Sequence, residues 1–113
     1  MPNGILQSPL LYHFHHAAAQ GRGMPASAWA QLRQTVSDEM PEFTEKLSAF
    51  EYKPKLMETH IIILTRLRFL LSEIAVLLGI SSSSLSMKRR RLLKRLFGID
   101  GSAGTFDDMI RQL

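Results

Sequence analysis

Residues 72–97 read SEIAVLLGISSSSLSMKRRRLLKRLF. Ile74, Ala75 and Leu78 give a short helix with one apolar face, and Gly79 supplies the positive-φ residue that stops it. Ile80 points back to the core and Ser81 caps the helix that follows. A small alanine, a glycine turn, an apolar turn residue and a serine cap are what two helices need to cross closely, so the stretch predicts a helix-turn-helix. At 100° per residue with Leu85 as zero, Leu92 falls near about −20°, Leu96 near +20° and Leu93 near +80°, which makes one core face. Ser83, Met87, Arg90 and Lys94 fall within about 40° of the opposite direction, with Ser86 and Arg91 on the flanks. Arg89, near about +40°, lies at the edge of the core face and must snorkel or pair, with Glu73 or Glu58 as candidates.

The rest of the chain is also helical in its spacing, with no sustained alternation and no Asn-Gly or Asp-Gly turn. The fold expected is all-α: an N-terminal helical hairpin (residues 1–52) packed on a C-terminal helix-turn-helix bundle (residues 53–113). Ser8 caps a first helix with Pro9 at its first position and Leu10, Leu11, Phe14 and Ala18 on one side; Gly21 and Gly23 end it. Ser27 is the expected cap of a second helix carrying Trp29, Leu32 and Val36. Met40-Pro41 marks a break, because the residue before proline avoids the α region. A short helix from Pro41 to about Phe50 follows. Pro54 opens a fourth helix, with Met57, Ile61, Leu64 and Arg68 on one face. Phe106, Met109, Ile110 and Leu113 make an apolar stripe on a last short helix, with Asp107 and Asp108 near its positive end. That stripe packs on the hairpin or forms a dimer seam.

Charge is distributed unevenly. The chain of 113 residues has a net charge of +4. Residues 1–65 sum to −1 and residues 96–113 to −2, so the thirty residues between, with Arg66, Arg68, Lys88, Arg89, Arg90, Arg91, Lys94 and Arg95 against Glu73 alone, carry +7. Such a concentrated positive face either favours a phosphate backbone, an anionic lipid surface or an acidic protein as partner, or is simply a solvated helix face.

Composition excludes several classes. With 45% hydrophobic and 21% charged residues the chain suits one domain with a single core. Cysteine is absent, which removes disulfides, thiolate zinc sites and cysteine nucleophiles. Ile61–Leu64 and Ala75–Ile80 are far shorter than the ~20 residues that span a bilayer, and Met1–Leu11 lacks the basic residues of a signal peptide. A cytoplasmic location is expected. His13, His15 and His16 invite a metal, but no carboxylate accompanies them on that helix, so surface or partly buried histidines are the expectation. Tyr12 and Trp29, at helical spacing with apolar residues, are expected in the core. Ser81–Ser84 has no histidine or lysine spaced to activate a nucleophile. No enzyme activity and no cofactor are expected.

Glu58, Ile61, Ile62, Leu64, Glu73-Ile74-Ala75, Leu78, Ile80-Ser81, Ser84-Leu85 and Leu96 fall at spacings that resemble the LuxR/GerE-type DNA-binding domain, which is related to the region-4 helix-turn-helix of bacterial sigma factors. The match covers roughly residues 54–113. It departs at Arg68, where glycine is common, and at Leu70-Leu71, where a capping serine is usual. The hairpin, with Tyr12, Trp29, Pro41, Phe43 and Leu47, and the ending LFGIDGSAGTFDDMIRQL resemble the C-terminal region of larger bacterial regulatory proteins, which implies that the chain is a fragment of one. The resemblance implies sequence-specific binding of double-stranded DNA, with residues 82–96 as recognition helix. Ser83, Ser86, Met87 and Arg90 are then the base-contacting candidates, Arg90 for guanine and Met87 for a thymine methyl. Arg66, Arg68, Ser84, Arg91 and Lys94 are the phosphate-contacting candidates. A homodimer through the last helix is the oligomer it implies. The competing expectation is a protein-interaction module, in which a degenerate helix-turn-helix inside a larger signalling protein meets an acidic partner such as an RNA polymerase subunit; structured RNA is a third.

Overall fold

Helix starts and stops follow local chemistry at most of the expected places. A computed structural model describes residues 8–113, in which helices α1 (Pro9–Ala19), α2 (Ala26–Glu39), α3 (Pro41–Ser48), α4 (Leu56–Arg66), α5 (Leu71–Leu78), α6 (Ser82–Phe97) and α7 (Ala103–Arg111) are the regular structure. The protein is all-α, with no strand among the described residues. Met1–Gln7, part of the stretch read for a leader, lie outside them. No described helix is long and apolar enough to cross a membrane.

Ser8 Oγ accepts the Leu10 N–H at 3.1 Å, with Pro9 at the first position of α1. Gly21, at φ +73°, closes that helix through Gly21 N–H to Ala18 O and Arg22 N–H to Ala17 O, both 3.0 Å. Ser27 is not the cap of α2. Pro25 takes that position, because its ring fixes φ at −69° while its carbonyl accepts the Ala28 and Trp29 N–H groups at 3.0 and 3.2 Å. α2 breaks at Met40 before Pro41, as predicted.

α4 begins at Leu56, two residues beyond Pro54. Its cap residue, Lys55, has no side-chain acceptor, and Glu58 Oε1 instead accepts the Lys55 N–H at 2.8 Å, which is the reciprocal half of a capping box. The one-faced helix expected here is in fact covered nearly all round: His60, Ile61, Ile62, Ile63, Leu64 and Thr65 are all buried. The reason is position, since α2, α5, α6 and α7 all pack on α4. Met57, expected on the apolar face, lies in the first turn, outside this collar, and is exposed. Arg68 is not on the helix either; it follows the last turn in the left-handed conformation, at φ +65°.

α1 lies against α5, and α2 against α3 and α4. No α1–α2 pairing as extensive as these occurs, although Phe14 and Trp29 meet edge to face at 4.9 Å. α7 closes on α6 and α4, with Phe106 and Ile110 fully buried. Its Asp107 and Asp108 fall in the second turn rather than the first, where Ser102 caps instead, accepting the Thr105 N–H at 3.3 Å. One continuous cluster of buried apolar side chains runs from Leu11 to Ile110.

Candidate nucleic-acid interface

The α5–α6 turn is built as its residues dictate. Gly79 sits at φ +68°, its N–H donates to Val76 O at 3.1 Å, and the Ile80 N–H donates to Ala75 O at 3.0 Å; together these are the two bonds of a Schellman closure. Ile80 is drawn onto the core beside Ala75. Ser81 Oγ then accepts the Ser84 N–H at 3.1 Å and lies 3.2 Å from Ser83 Oγ. Three residues therefore turn the chain from α5 into α6, and both helices pack on α4.

α6 divides into two faces as expected. Leu85, Leu92, Leu93 and Leu96 are buried. Ser83, Met87, Arg90, Arg91 and Lys94 are exposed, with Ser84 and Ser86 half-buried. Ser83, Met87, Arg90 and Lys94 follow one line at i, i+4, i+7 and i+11, so a single outward stripe presents a hydroxyl, a thioether and two cations. Among the described residues no carboxylate lies within ion-pair range of Arg68, Lys88, Arg90 or Arg91, while Lys94 reaches Asp100 at 3.2 Å on the open surface. An exposed pair of that kind contributes little and yields readily to a phosphate.

Arg89 pairs with neither Glu73 nor Glu58. It is 3% exposed and makes a two-pronged contact with Asp107 of α7, Nε to Oδ1 at 3.0 Å and Nη2 to Oδ2 at 2.5 Å. The two carboxylates expected for it are engaged elsewhere. Glu73 accepts the Leu70 N–H at 2.8 Å and contacts His15 Nδ1 at 2.6 Å. Glu58 accepts from Tyr52 Oη at 2.6 Å and from Arg95 at 3.2 Å. Burial alone would raise the Glu58 pKa, but the Tyr52 hydroxyl, the Lys55 N–H and the charges of Arg95 and Lys55 outweigh it and hold the group below the ordinary carboxylate range. A buried bidentate pair such as Arg89–Asp107 ties α6 to α7, and removing either partner strands a charge at about 3–5 kcal/mol. The signal for it lay in Asp107, one residue from Phe106 and three from Ile110, at the edge of the stripe that α7 buries.

The remaining candidates are dispersed. Arg68 is exposed in the α4–α5 turn. Arg66 is turned into a crevice with Glu39, Glu42, Phe43 and Leu113, its guanidinium 5.7 Å from the Phe43 ring centroid and its Nε buried. None of the residues lining that crevice comes from α6. Trp29 is in the core as expected, but Tyr12 is 66% exposed, lying along the outer side of α1 beside His13 and His16. His15 stacks on Phe69 at 3.9 Å, and among the described residues no three potential metal ligands come together. Sequence reasoning also passed over Lys55 and Lys88, which stand on either side of a cleft between α4 and α6.

No protein-family model matches the chain, and comparison with curated proteins and with solved structures returns no match.

Proposed function

We propose that this protein binds double-stranded DNA in a sequence-specific manner, as the DNA-binding part of a bacterial transcription regulator working in the cytoplasm. The observation that carries the proposal is α6: a helix held by its leucines, whose outward stripe is exposed and whose Arg90 and Arg91 have no intramolecular ion pair among the described residues. A B-DNA major groove, about 12 Å wide, admits one such helix. Ser83, Ser86, Met87 and Arg90 are the base readers, with Arg90 bidentate to guanine and Met87 against a thymine methyl. Ser84, Arg91, Lys94 and Arg68 take phosphates. Arg66 is left out of this interface, because its guanidinium packs on Phe43. The resemblance of roughly residues 54–113 to the LuxR/GerE-type domain points the same way. No chemical step is part of the proposal.

A homodimer through α7 belongs to the same proposal. With Phe106 and Ile110 buried within the chain, it would use the opposite side of the helix, where Gly104, Asp108 and Gln112 are exposed in one line.

Selection from a random duplex library at about 150 mM salt tests the function, since non-specific affinity falls steeply with salt while base readout survives. An enriched motif is expected, and Arg90→Ala should relax it at one position at a loss of about 1–3 kcal/mol. Retention without a motif would reduce the interface to its positive charge. No retention at all would favour a protein-interaction module.

A further inference from the structure

The cleft between the start of α4 and one flank of α6 has a volume of about 210 Å³ and is lined by Lys55, Met57, Glu58, Lys88, Arg91 and Arg95. Four cations face one carboxylate there. That carboxylate is already taken: Glu58 Oε1 accepts from Tyr52 Oη at 2.6 Å and from the Lys55 N–H at 2.8 Å, and Oε2 accepts from Arg95 at 3.2 Å. Arg95 is further held by Tyr52, donating to its hydroxyl at 3.1 Å with its guanidinium 5.3 Å from the ring centroid. Lys55, Lys88 and Arg91 have no ion pair among the described residues, and although the Lys55 charge also acts on Glu58, one carboxylate against four cations leaves the cleft with a net positive charge. A concave surface with low-dielectric walls focuses such a field, and the positive end of α4 adds to it.

We infer that this cleft is a binding site for a phosphate group, held by Lys55, Lys88 and Arg91 against the fixed Arg95–Glu58–Tyr52 wall. The inference rests on α6 being the groove-reading helix for the identity of that phosphate. Lys88, Arg91 and Arg95 are spaced i, i+3 and i+7 and fall at about −60°, −120° and −80° from Leu85, whereas the reading stripe is centred near 180°. The cationic line is therefore between a sixth and a third of a turn from the stripe, on the side where α4 stands. A helix seated in a major groove has one strand's phosphates along each flank, so the occupant is a DNA backbone phosphate on the α4 side.

The test measures affinity for a 20-base-pair duplex between 50 and 200 mM salt, using the full chain, Lys55→Gln, Lys88→Gln and the double variant. The plot of log K against log salt should become shallower by about 0.9 for each phosphate that the variant no longer neutralises, equally on every sequence, with the selected motif unchanged. Lys88→Arg should restore the slope. In a second arm, inorganic phosphate is titrated into the isotope-labelled full chain. The amide signals of Lys88 and Arg91 should shift, and should not in the double variant. Unchanged slopes in a protein that does bind DNA overturn the site and leave groove reading by α6 intact. A chain that binds no DNA, but whose cleft signals saturate with phosphate, loses its proposed function and keeps the site, for a free phosphorylated molecule. Silence in both arms overturns both.

Discussion

His60 is buried in α4 between Trp29, whose ring stacks on it at 4.2 Å, and Arg33, whose Nη1 lies 2.7 Å from its Nε2. A guanidinium can only donate, so Nε2 must offer its lone pair and the ring is neutral. Burial and then the Arg33 charge push its pKa down from 6.5 to about 4. The unfolded chain takes up this proton near pH 6.5 and the folded one near 4, so the unfolded state binds more protons in between. Stability is therefore complete above about pH 6.5 and is lost as pH falls towards 4, by roughly 3 kcal/mol in all. His60→Phe keeps a ring on Trp29 and removes the titration. Urea midpoints for the two proteins should converge as pH drops from about 7 to 4.5, the difference isolating His60 from the exposed His13, His15 and His16. A constant difference across that range would mean that His60 is not held neutral.

The turn between α4 and α5 shows an element ended against the preference of its residue. Arg68 N–H donates to Thr65 O and Phe69 N–H to Leu64 O, both at 3.0 Å, which repeats the Schellman closure at Gly79 with an arginine at the left-handed position. The cost of about 1 kcal/mol for a residue with a Cβ is accepted because Phe69, the next residue, is driven onto Leu64 in the core, both nearly inaccessible. Arg68→Gly should raise the melting temperature by roughly 4 °C or more. If Arg68 holds a phosphate, the same variant should bind duplex DNA more weakly on all sequences, and opposite signs for stability and affinity would separate backbone from side chain. A lowered melting temperature would instead show that the arginine makes a stabilising contact. What could be read in the sequence follows the same division. Gly79, Ser81 and the four leucines of α6 act through neighbours within a turn or two, so spacing alone placed them and the outward stripe. Arg68 in a left-handed turn, Pro25 displacing Ser27 as cap, and the burial of α4 on all sides each depend on what another element supplies. Asp107 as the partner of Arg89, and Lys55 facing Lys88, join residues 18 and 33 positions apart, beyond any helical period.

On the scale of the whole molecule, the expected boundary near residue 52 runs through a shared core. His15 of α1 stacks on Phe69, Gly23 lies so close to the Leu77 carbonyl that a Cβ there would come within 3.2 Å of it, and Trp29 of α2 covers His60. The radius of gyration, 13.5 Å, is that of one compact body, against about 13 Å for 100 residues. Removing residues 1–53 would bare the sides of α4 and α5 that carry these contacts. Each large apolar side chain exposed loses about 1.5–3 kcal/mol, so a few of them match the whole stability of an ordinary domain, about 5–15 kcal/mol. Residues 54–113 alone should therefore fail to unfold cooperatively, and the full chain should melt in one step. Trp29 is the single tryptophan and reports on the N-terminal helices, whereas far-ultraviolet circular dichroism is weighted towards α4–α7. Coincident urea transitions by fluorescence and dichroism are expected. Separated transitions, with residues 54–113 folding alone, would divide the chain into two domains. If the transitions coincide, α6 keeps its place only while the N-terminal helices are folded, and on the proposed function a change at Trp29 severe enough to populate the unfolded state should weaken DNA binding without altering any residue of α6.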